Sequence, residues 1–350
     1  MEKDITLERK VGNLIIVGFQ GTSPEMEDPQ QIIKLLQNDT LSGVILYAHN
    51  IVNPEQLYLL TKSFYNANPK AFICIDQEGG AVQRLTQKKG FSVGVPRAEE
   101  IVCTYSPSEA QILYSSMAEE LKRYYINVNF GPIVDLNNSE SPSPVIGKLG
   151  RSYGNIPEKV VKYGTAFIDA HRQHHVLTAA KHWPGHGYST EDSHKGLTDT
   201  TKTAIPEKEL TPYAKLNELG YLDMVMTAHV VNENYDSLGY PATLSPRMIP
   251  SLLRRKGYNG VVVSDDMHMG AIQQHYSLQE SVQLAFNATC DLLIFSNNLA
   301  AAPNVPNFKP NPHISTDVFN IVKDDVEQGR ILLDRINEAY GRVIALKDKL

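Results

Sequence analysis

Cysteine is nearly absent: Cys74, Cys103 and Cys290 are the only three in 350 residues. Their odd number, wide separation and lack of a Cys-x-x-Cys spacing exclude a disulfide framework and a thiolate zinc site. They read as buried small hydrophobes. Long apolar runs are missing too. No stretch approaches the roughly 20 apolar residues that span a bilayer, and Met1-Glu2-Lys3-Asp4 lacks the apolar core of a secretory signal. The expected location is the cytoplasm, with no membrane partner. Basic blocks are also lacking. A net charge of −6 is spread over both signs, whereas binding a phosphate backbone needs clustered cations, so no nucleic-acid partner is expected. Finally, no G-x-G-x-x-G fingerprint follows the first apolar run. Gly18-Phe19-Gln20-Gly21 has no suitable third glycine, which excludes a nicotinamide cofactor, and no other cofactor is expected.

What is present is ordinary for a globular enzyme: 42% hydrophobic and 21% charged residues, a balance that suggests neither disorder nor a fibre. Short Val- and Ile-rich runs occupy 14–19, 43–47, 71–75, 128–136, 176–180, 224–231, 260–263 and 291–295. Amphipathic helical patterns fall between them at 54–66, 107–124, 157–174, 211–219, 246–256 and 278–289. Several open on Ser or Asn followed by Pro, a helix-start signal. Near-continuous apolar strands imply burial on both faces, and eight βα units in roughly 300 residues fit a (β/α)8 barrel better than an open sheet. The expectation is one α/β domain over residues 1–350, with a TIM-type barrel over about 10–300 and C-terminal helices over about 313–350. Two long polar loops, 137–150 and 183–206, are candidates for function because such loops in compact domains tend to carry it. The Pro- and Asn-rich stretch 300–312 is read as a surface connection without chemistry.

In such a barrel the active site lies at the C-terminal ends of the strands. Five apolar runs lead directly into polar residues: Asp76-Gln77-Glu78-Gly79-Gly80, Asp135, Lys181-His182, His229 and Ser264-Asp265-Asp266. One such residue alone is usually satisfied by a neighbouring loop amide; five together point to one mouth. Carboxylates and imidazoles with a lysine suit hydroxyl recognition and acid/base hydrolysis. They would also suit a metal, but Pro184, Gly185 and Gly187 prevent the helix on which His182 and His186 could chelate zinc. No metal is expected. His171, His174 and His175 end a predicted helix, where imidazoles interact with the terminal carbonyls.

At these residues the chain resembles glycoside hydrolase family 3, in particular its single-domain β-N-acetylglucosaminidases of peptidoglycan recycling. The carriers, in order, are Asp76-Gln77-Glu78-Gly79-Gly80 with Gln83-Arg84, Asn129-Phe130-Gly131-Pro132 to Asp135, Pro144-Val145-Ile146-Gly147, and Arg151-Ser152-Tyr153. Lys181-His182-Trp183-Pro184-Gly185-His186-Gly187 follows with Asp192-Ser193-His194, then Ser264-Asp265-Asp266. Each motif is weak, but the ordered set is specific and spans most of the barrel.

The resemblance implies a retaining, exo-acting enzyme that removes terminal β-linked N-acetylglucosamine, with muropeptide fragments as the carbohydrate substrate. It makes Asp265 the nucleophile. Adjacent strand residues face opposite sides, so Asp266 is expected to take hydrogen bonds from the scaffold. By position His194 replaces the usual second carboxylic acid as acid/base, with Asp192 orienting its ring. Asp76, Arg84, Arg151, Lys181 and His182 match positions that hold the terminal sugar. Gly79 and Gly80 let the chain turn beside the ligand, while Glu78 and His186 are read as structural. The chain departs from the family pattern at Lys148-Leu149-Gly150, a longer connection leading into Arg151. After His194, residues 195–199 show no obvious acceptors for a long glycan. Two competitors are a phosphorylase on the same scaffold and a sugar-binding barrel without turnover.

Overall fold

The computed structural model describes residues 5–301 and 303–350. Eight parallel strands form a closed barrel: β1 Ile15–Val17, β2 Gly43–Leu46, β3 Phe72–Ile75, β4 Val128–Asn129, β5 Leu177–Trp183, β6 Met224–Thr227, β7 Val261–Asp266 and β8 Leu292–Phe295. Each pairs with the next, and β8 returns to β1 with Leu293, Ile294 and Phe295 opposite Ile15, Ile16 and Val17. The (β/α)8 barrel expected from the alternation is the architecture found. Its strands are apolar throughout because helices cover their outer face while the barrel core fills the inner one.

The helices begin where their caps lie. Asn53 accepts from the Gln56 amide ahead of Pro54–Ala67, and Ser106 and Ser277 form capping boxes with Glu109 and Glu280 ahead of Pro107–Arg123 and Leu278–Asn287. Each such cap satisfies an otherwise orphaned amide and contributes about 1 kcal/mol. Two further helices, Ile314–Glu327 and Leu333–Lys347, follow β8. The second is tied to the N-terminal end of the barrel through Asp291. That fully buried carboxylate takes the Val262 amide at 2.9 Å, Arg342 at 3.1 Å, and both Arg254 and Arg335. Polar groups at this end of a barrel serve stability.

The apolar runs and the strands do not coincide, and the differences bear on function. Run 128–136 contributes only Val128–Asn129 to a continuous strand. Pro132 has no amide for a ladder, and the chain rejoins β5 through an isolated Ile133–Lys181 bridge. Run 224–231 splits, with Val230–Val231 leaving the barrel to pair with Thr198–Asp199 of the long 183–206 loop. Conversely, β5 continues past its apolar run through Lys181, His182 and Trp183, and β7 continues through Ser264, Asp265 and Asp266. The polar residues at these two ends therefore sit on rigid strand.

Two expectations are corrected. Cys74 and Cys290 are buried, but Cys103 is exposed, near the end of the short helix Ala98–Thr104. His171 does not serve a helix terminus. It lies inside Pro157–Gln173, fully buried, with Nδ1 bonded to the Phe167 carbonyl and Nε2 taking the Asn129 amide at 2.9 Å. Burial pushes its pKa down to about 4, so it is a neutral core histidine. Among the described residues, no helix is long and apolar enough to cross a membrane.

Candidate active site

The C-terminal mouth of the barrel holds a cavity of about 440 Å³. Asp76 reaches it from the end of β3, Tyr47 and His49 from the end of β2, and Asp265 and Asp266 from β7. Arg84, Met269, Asn298 and His194 complete most of its wall. Ala300 and Ala301 also line it, so the stretch 300–312, read as a connection without chemistry, begins as pocket wall.

A ladder of charges runs into this cavity from one side. Arg151 grips Glu78 with two bonds of 2.7 and 2.8 Å, Lys181 bridges Glu78 and Asp76 at 2.8 Å each, and Arg84 stands 3.6 Å from the other Asp76 oxygen. Burial alone would push the Glu78 carboxyl up, but Arg151 and Lys181 together hold it well below the usual carboxylate range. Burial likewise opposes the charge on Lys181, and Asp76 and Glu78 outweigh it. Only Asp76 and Arg84 of this ladder line the cavity. Lys181 stands behind Asp76, and Arg151, expected to hold the sugar, is engaged by Glu78 and by the Val145 carbonyl at 2.8 Å. Its bidentate partner was missed from sequence because it lies 73 residues away.

Two Asp–His pairs bear on Asp265. His182, on β5, bonds through Nδ1 to Asp135 at 2.7 Å, and Asp135 also accepts the backbone amides of His182 and His186. Asp135 was placed by sequence among the polar residues at the barrel mouth but was given no role there. His194 bonds through Nδ1 to Asp192 at 2.9 Å. That bond leaves Nε2 available to exchange a proton with a ligand. Desolvation opposes a charge on His194, yet the bond to Asp192 and the field of Asp265 raise its pKa above the ordinary value. The same bond to His194 lowers Asp192 to about 2.

Strand alternation was expected to turn only one of the neighbouring aspartates of β7 to the site, yet both line the cavity; they differ in their hydrogen bonds instead. Asp266 accepts the His268 and Ser296 amides at 3.0 and 2.8 Å through one oxygen, while its other oxygen has no hydrogen-bond partner among the described residues. Burial pushes it up to about 6. Among the described residues, Asp265 receives only the Asp266 amide. Burial would raise it too, but His182, His229 and His194 hold it below the ordinary carboxylate value. Asp265 is thus the more readily ionised and less encumbered of the two, the condition a nucleophile needs. His229, buried beneath, bonds to Thr243 and to the Asp266 carbonyl.

The segment carrying Asp192 and His194 is seated on the turn that follows β7. The Ala271 amide donates to the Ser193 carbonyl at 3.1 Å, and Gln274 donates to the Lys195 carbonyl at 3.0 Å. Gly270 makes the approach possible, since a Cβ there would lie 2.5 Å from the His194 carbonyl oxygen. Acid/base loop and nucleophile strand are thereby held together. Among the described residues, no group of three or more His, Cys, Asp or Glu is arranged to hold a metal ion.

Known proteins are similar to this chain over different extents. The chain is 31% identical over 345 residues to beta-hexosaminidase A of Pseudoalteromonas piscicida, covering 92% of this chain and 56% of that protein. It is 34% identical over 309 residues to the beta-hexosaminidase of Tolumonas auensis, covering 86% and 88%. The solved glycoside hydrolase family 3 beta-N-acetylglucosaminidase of Paenibacillus sp. superposes with a TM-score of 0.86 at 32% identity, over 99% of this chain and 62% of that one. The chain therefore spans little more than half of the first and third relatives and most of the second. The model of the glycosyl hydrolase family 3 N-terminal domain matches residues 6–346, and the chain belongs to that family.

Proposed function

We propose that this protein is a retaining, exo-acting β-N-acetylglucosaminidase. Asp265 attacks the anomeric carbon and the leaving oxygen takes a proton from His194. His194 then removes a proton from water as it attacks the glycosyl–Asp265 ester, restoring the enzyme with net retention. Asp192 holds the His194 ring through Nδ1 so that Nε2 serves both steps. Asp76, backed by Lys181, accepts from sugar hydroxyls and Arg84 donates to them. His182 is fixed by Asp135 beside them, and Arg151 supports the ladder through Glu78. The observation that carries this reading is the cavity shared by Asp265, His194, Asp76 and Arg84, because nucleophile, imidazole proton donor and hydroxyl ligands converge there.

The whole chain, 1–350, acts as one catalytic unit in this proposal, and its substrate is a small N-acetylglucosamine-containing glycan such as a muropeptide fragment. Three free thiols support a reducing, cytoplasmic setting. The test is release of a chromogenic aglycone from the β-N-acetylglucosaminide, compared with the β-glucoside and the N-acetylgalactosaminide, with the anomer of the first product read by NMR. Preference for the N-acetylglucosaminide with a β-product supports the reading. A glucoside preference overturns the substrate class, an α-product overturns the retaining mechanism, and conversion to a sugar phosphate in inorganic phosphate replaces hydrolysis by phosphorolysis.

A further inference from the structure

His186 has no role in the chemistry above, yet its surroundings are unlike those of a turn residue. It is buried beside His182, their rings edge to face at 5.9 Å. Its amide donates to Asp135 at 2.8 Å, the carboxylate that also holds His182. Its ring spans two serines, with Nδ1 2.6 Å from Ser189 Oγ and Nε2 3.0 Å from Ser193 Oγ.

The directions of these bonds can be assigned. The Ser189 hydroxyl donates to the His186 carbonyl at 2.7 Å, so its oxygen accepts from His186 Nδ1–H. Ser143 then donates to Ser189 at 3.0 Å. A neutral imidazole with its proton on Nδ1 presents Nε2 as an acceptor, and the Ser193 hydroxyl is the donor that meets it. Burial, with His182 nearby, pushes His186 down to about 4, consistent with the neutral ring. Ser193 lies between Asp192 and His194 in the chain, is itself buried, and its carbonyl is the one held by Ala271.

We propose that His186 is a positioning residue for the acid/base loop: its Nε2 holds Ser193, and Ser193 fixes the direction in which His194 faces the cavity. Ser143 of loop 137–150 supports the ring through Ser189, and Asp135 holds the His186 backbone amide, so the proton-donating loop shares its anchor with the sugar-binding His182. This rests on His194 being the acid/base. The role makes a demand that mere structural support does not. Loss of the His186–Ser193 bond misplaces the proton donor and harms reactions in proportion to how much the leaving group needs a proton.

The test compares kcat/KM for two aryl β-N-acetylglucosaminides, one with a poor leaving group such as phenol and one with an activated dinitrophenol. The variants are Ser193→Ala, a small change that leaves the backbone bonds in place, and His186→Gln, with His194→Ala as reference. The expected result is a fall for the phenyl substrate at least about tenfold larger than for the dinitrophenyl substrate in Ser193→Ala and His186→Gln, in the same direction as His194→Ala. Equal falls on both substrates, or no fall on either, overturn the positioning role while leaving the function intact. If His194→Ala itself shows no leaving-group dependence, the acid/base assignment is lost and this proposal with it.

Discussion

The Asp135–His182 and Asp192–His194 pairs use the same two functional groups at almost the same separation, 2.7 and 2.9 Å. Their settings are opposite. The first joins residues 47 apart, Asp135 just past the Ile133 bridge and His182 near the end of β5, and its carboxylate is fully buried with three donors. The second is made by residues two apart on a loop, and the His194 side chain is 47% exposed. A group that must hold a sugar in one orientation gains from rigidity. A group that protonates an oxygen and then deprotonates a water must be reached from solvent and must titrate near neutrality. In the proposed mechanism the same pair chemistry therefore serves as a fixed clamp in one place and a proton carrier in the other.

Both pairs act on Asp265, so the largest effect is expected there. Asp265→Asn should reduce kcat by roughly 10⁴-fold or more, the scale seen when a nucleophile is removed from a group acting as a unit. Asp266→Asn should retain far more activity, because its carboxylate is bonded to backbone amides. Steady-state rates on one chromogenic substrate check this, and equal losses in the two variants would remove the distinction drawn between the neighbouring aspartates. Next in size, His194→Ala should cost about 10²–10³-fold in kcat/KM on a poor leaving group, as expected of a general acid. His182→Ala should lower kcat/KM to a similar degree on good and poor leaving groups alike, since a clamp serves binding whichever aglycone departs.

The buried pair should instead reveal itself in stability. Asp135→Asn weakens a buried hydrogen bond to His182 and two amide bonds, a change expected to cost about 1–3 kcal/mol. Burial favours the neutral acid, but His182 and His186 hold the Asp135 pKa below its unfolded value. Its contribution is thus present above pH about 4 and lost as pH falls through the folded pKa. Chemical unfolding between pH 7 and pH 3 should show the variant and the natural protein converging on acidification. A constant gap over that range would mean the pair is not what the carboxylate contributes. Glu209 gives the opposite sign: burial raises it to about 8, so its effect on stability is unfavourable as pH rises from about 4.5 to 8. Glu209→Gln, which keeps an acceptor for the Ile205 amide, should stabilise the protein at pH 8 and not at pH 4.

The clamp was far more legible in the sequence than the carrier's supports. Asp76, Asp135, His182 and Asp265 each follow an apolar run, and the barrel rule turns that one-dimensional position into a place in space. Tyr47, His49 and Asn298 also follow strands and line the cavity, but an aromatic after an apolar run looks like core. Glu78 was read as structural because its partners Arg151 and Lys181 are distant in sequence. The Asp192–His194 pair was found through motif order alone. Its loop has no periodicity, and the strand pairing of 198–199 with 230–231 and the seat on Gly270 depend on contacts between segments that no local pattern encodes.

The smallest effect separates the two pairs most cleanly. Asp192→Asn removes an exposed ion pair, and such pairs contribute at most about 1 kcal/mol, so the unfolding transition should move little where that of Asp135→Asn moves greatly. What it should change is the pH profile. His194 must be protonated to donate, so kcat/KM falls as pH rises through its pKa, and that pKa is raised mainly by the bond to Asp192 against desolvation. Without the carboxylate charge the pKa drops, and the alkaline limb of kcat/KM should move to lower pH while the acid limb, set by Asp265, stays near its original place. A limb that does not move, measured on the poor leaving group where protonation matters most, would mean that Asp192 only shapes the loop, and the two Asp–His pairs would then differ in exposure but not in task.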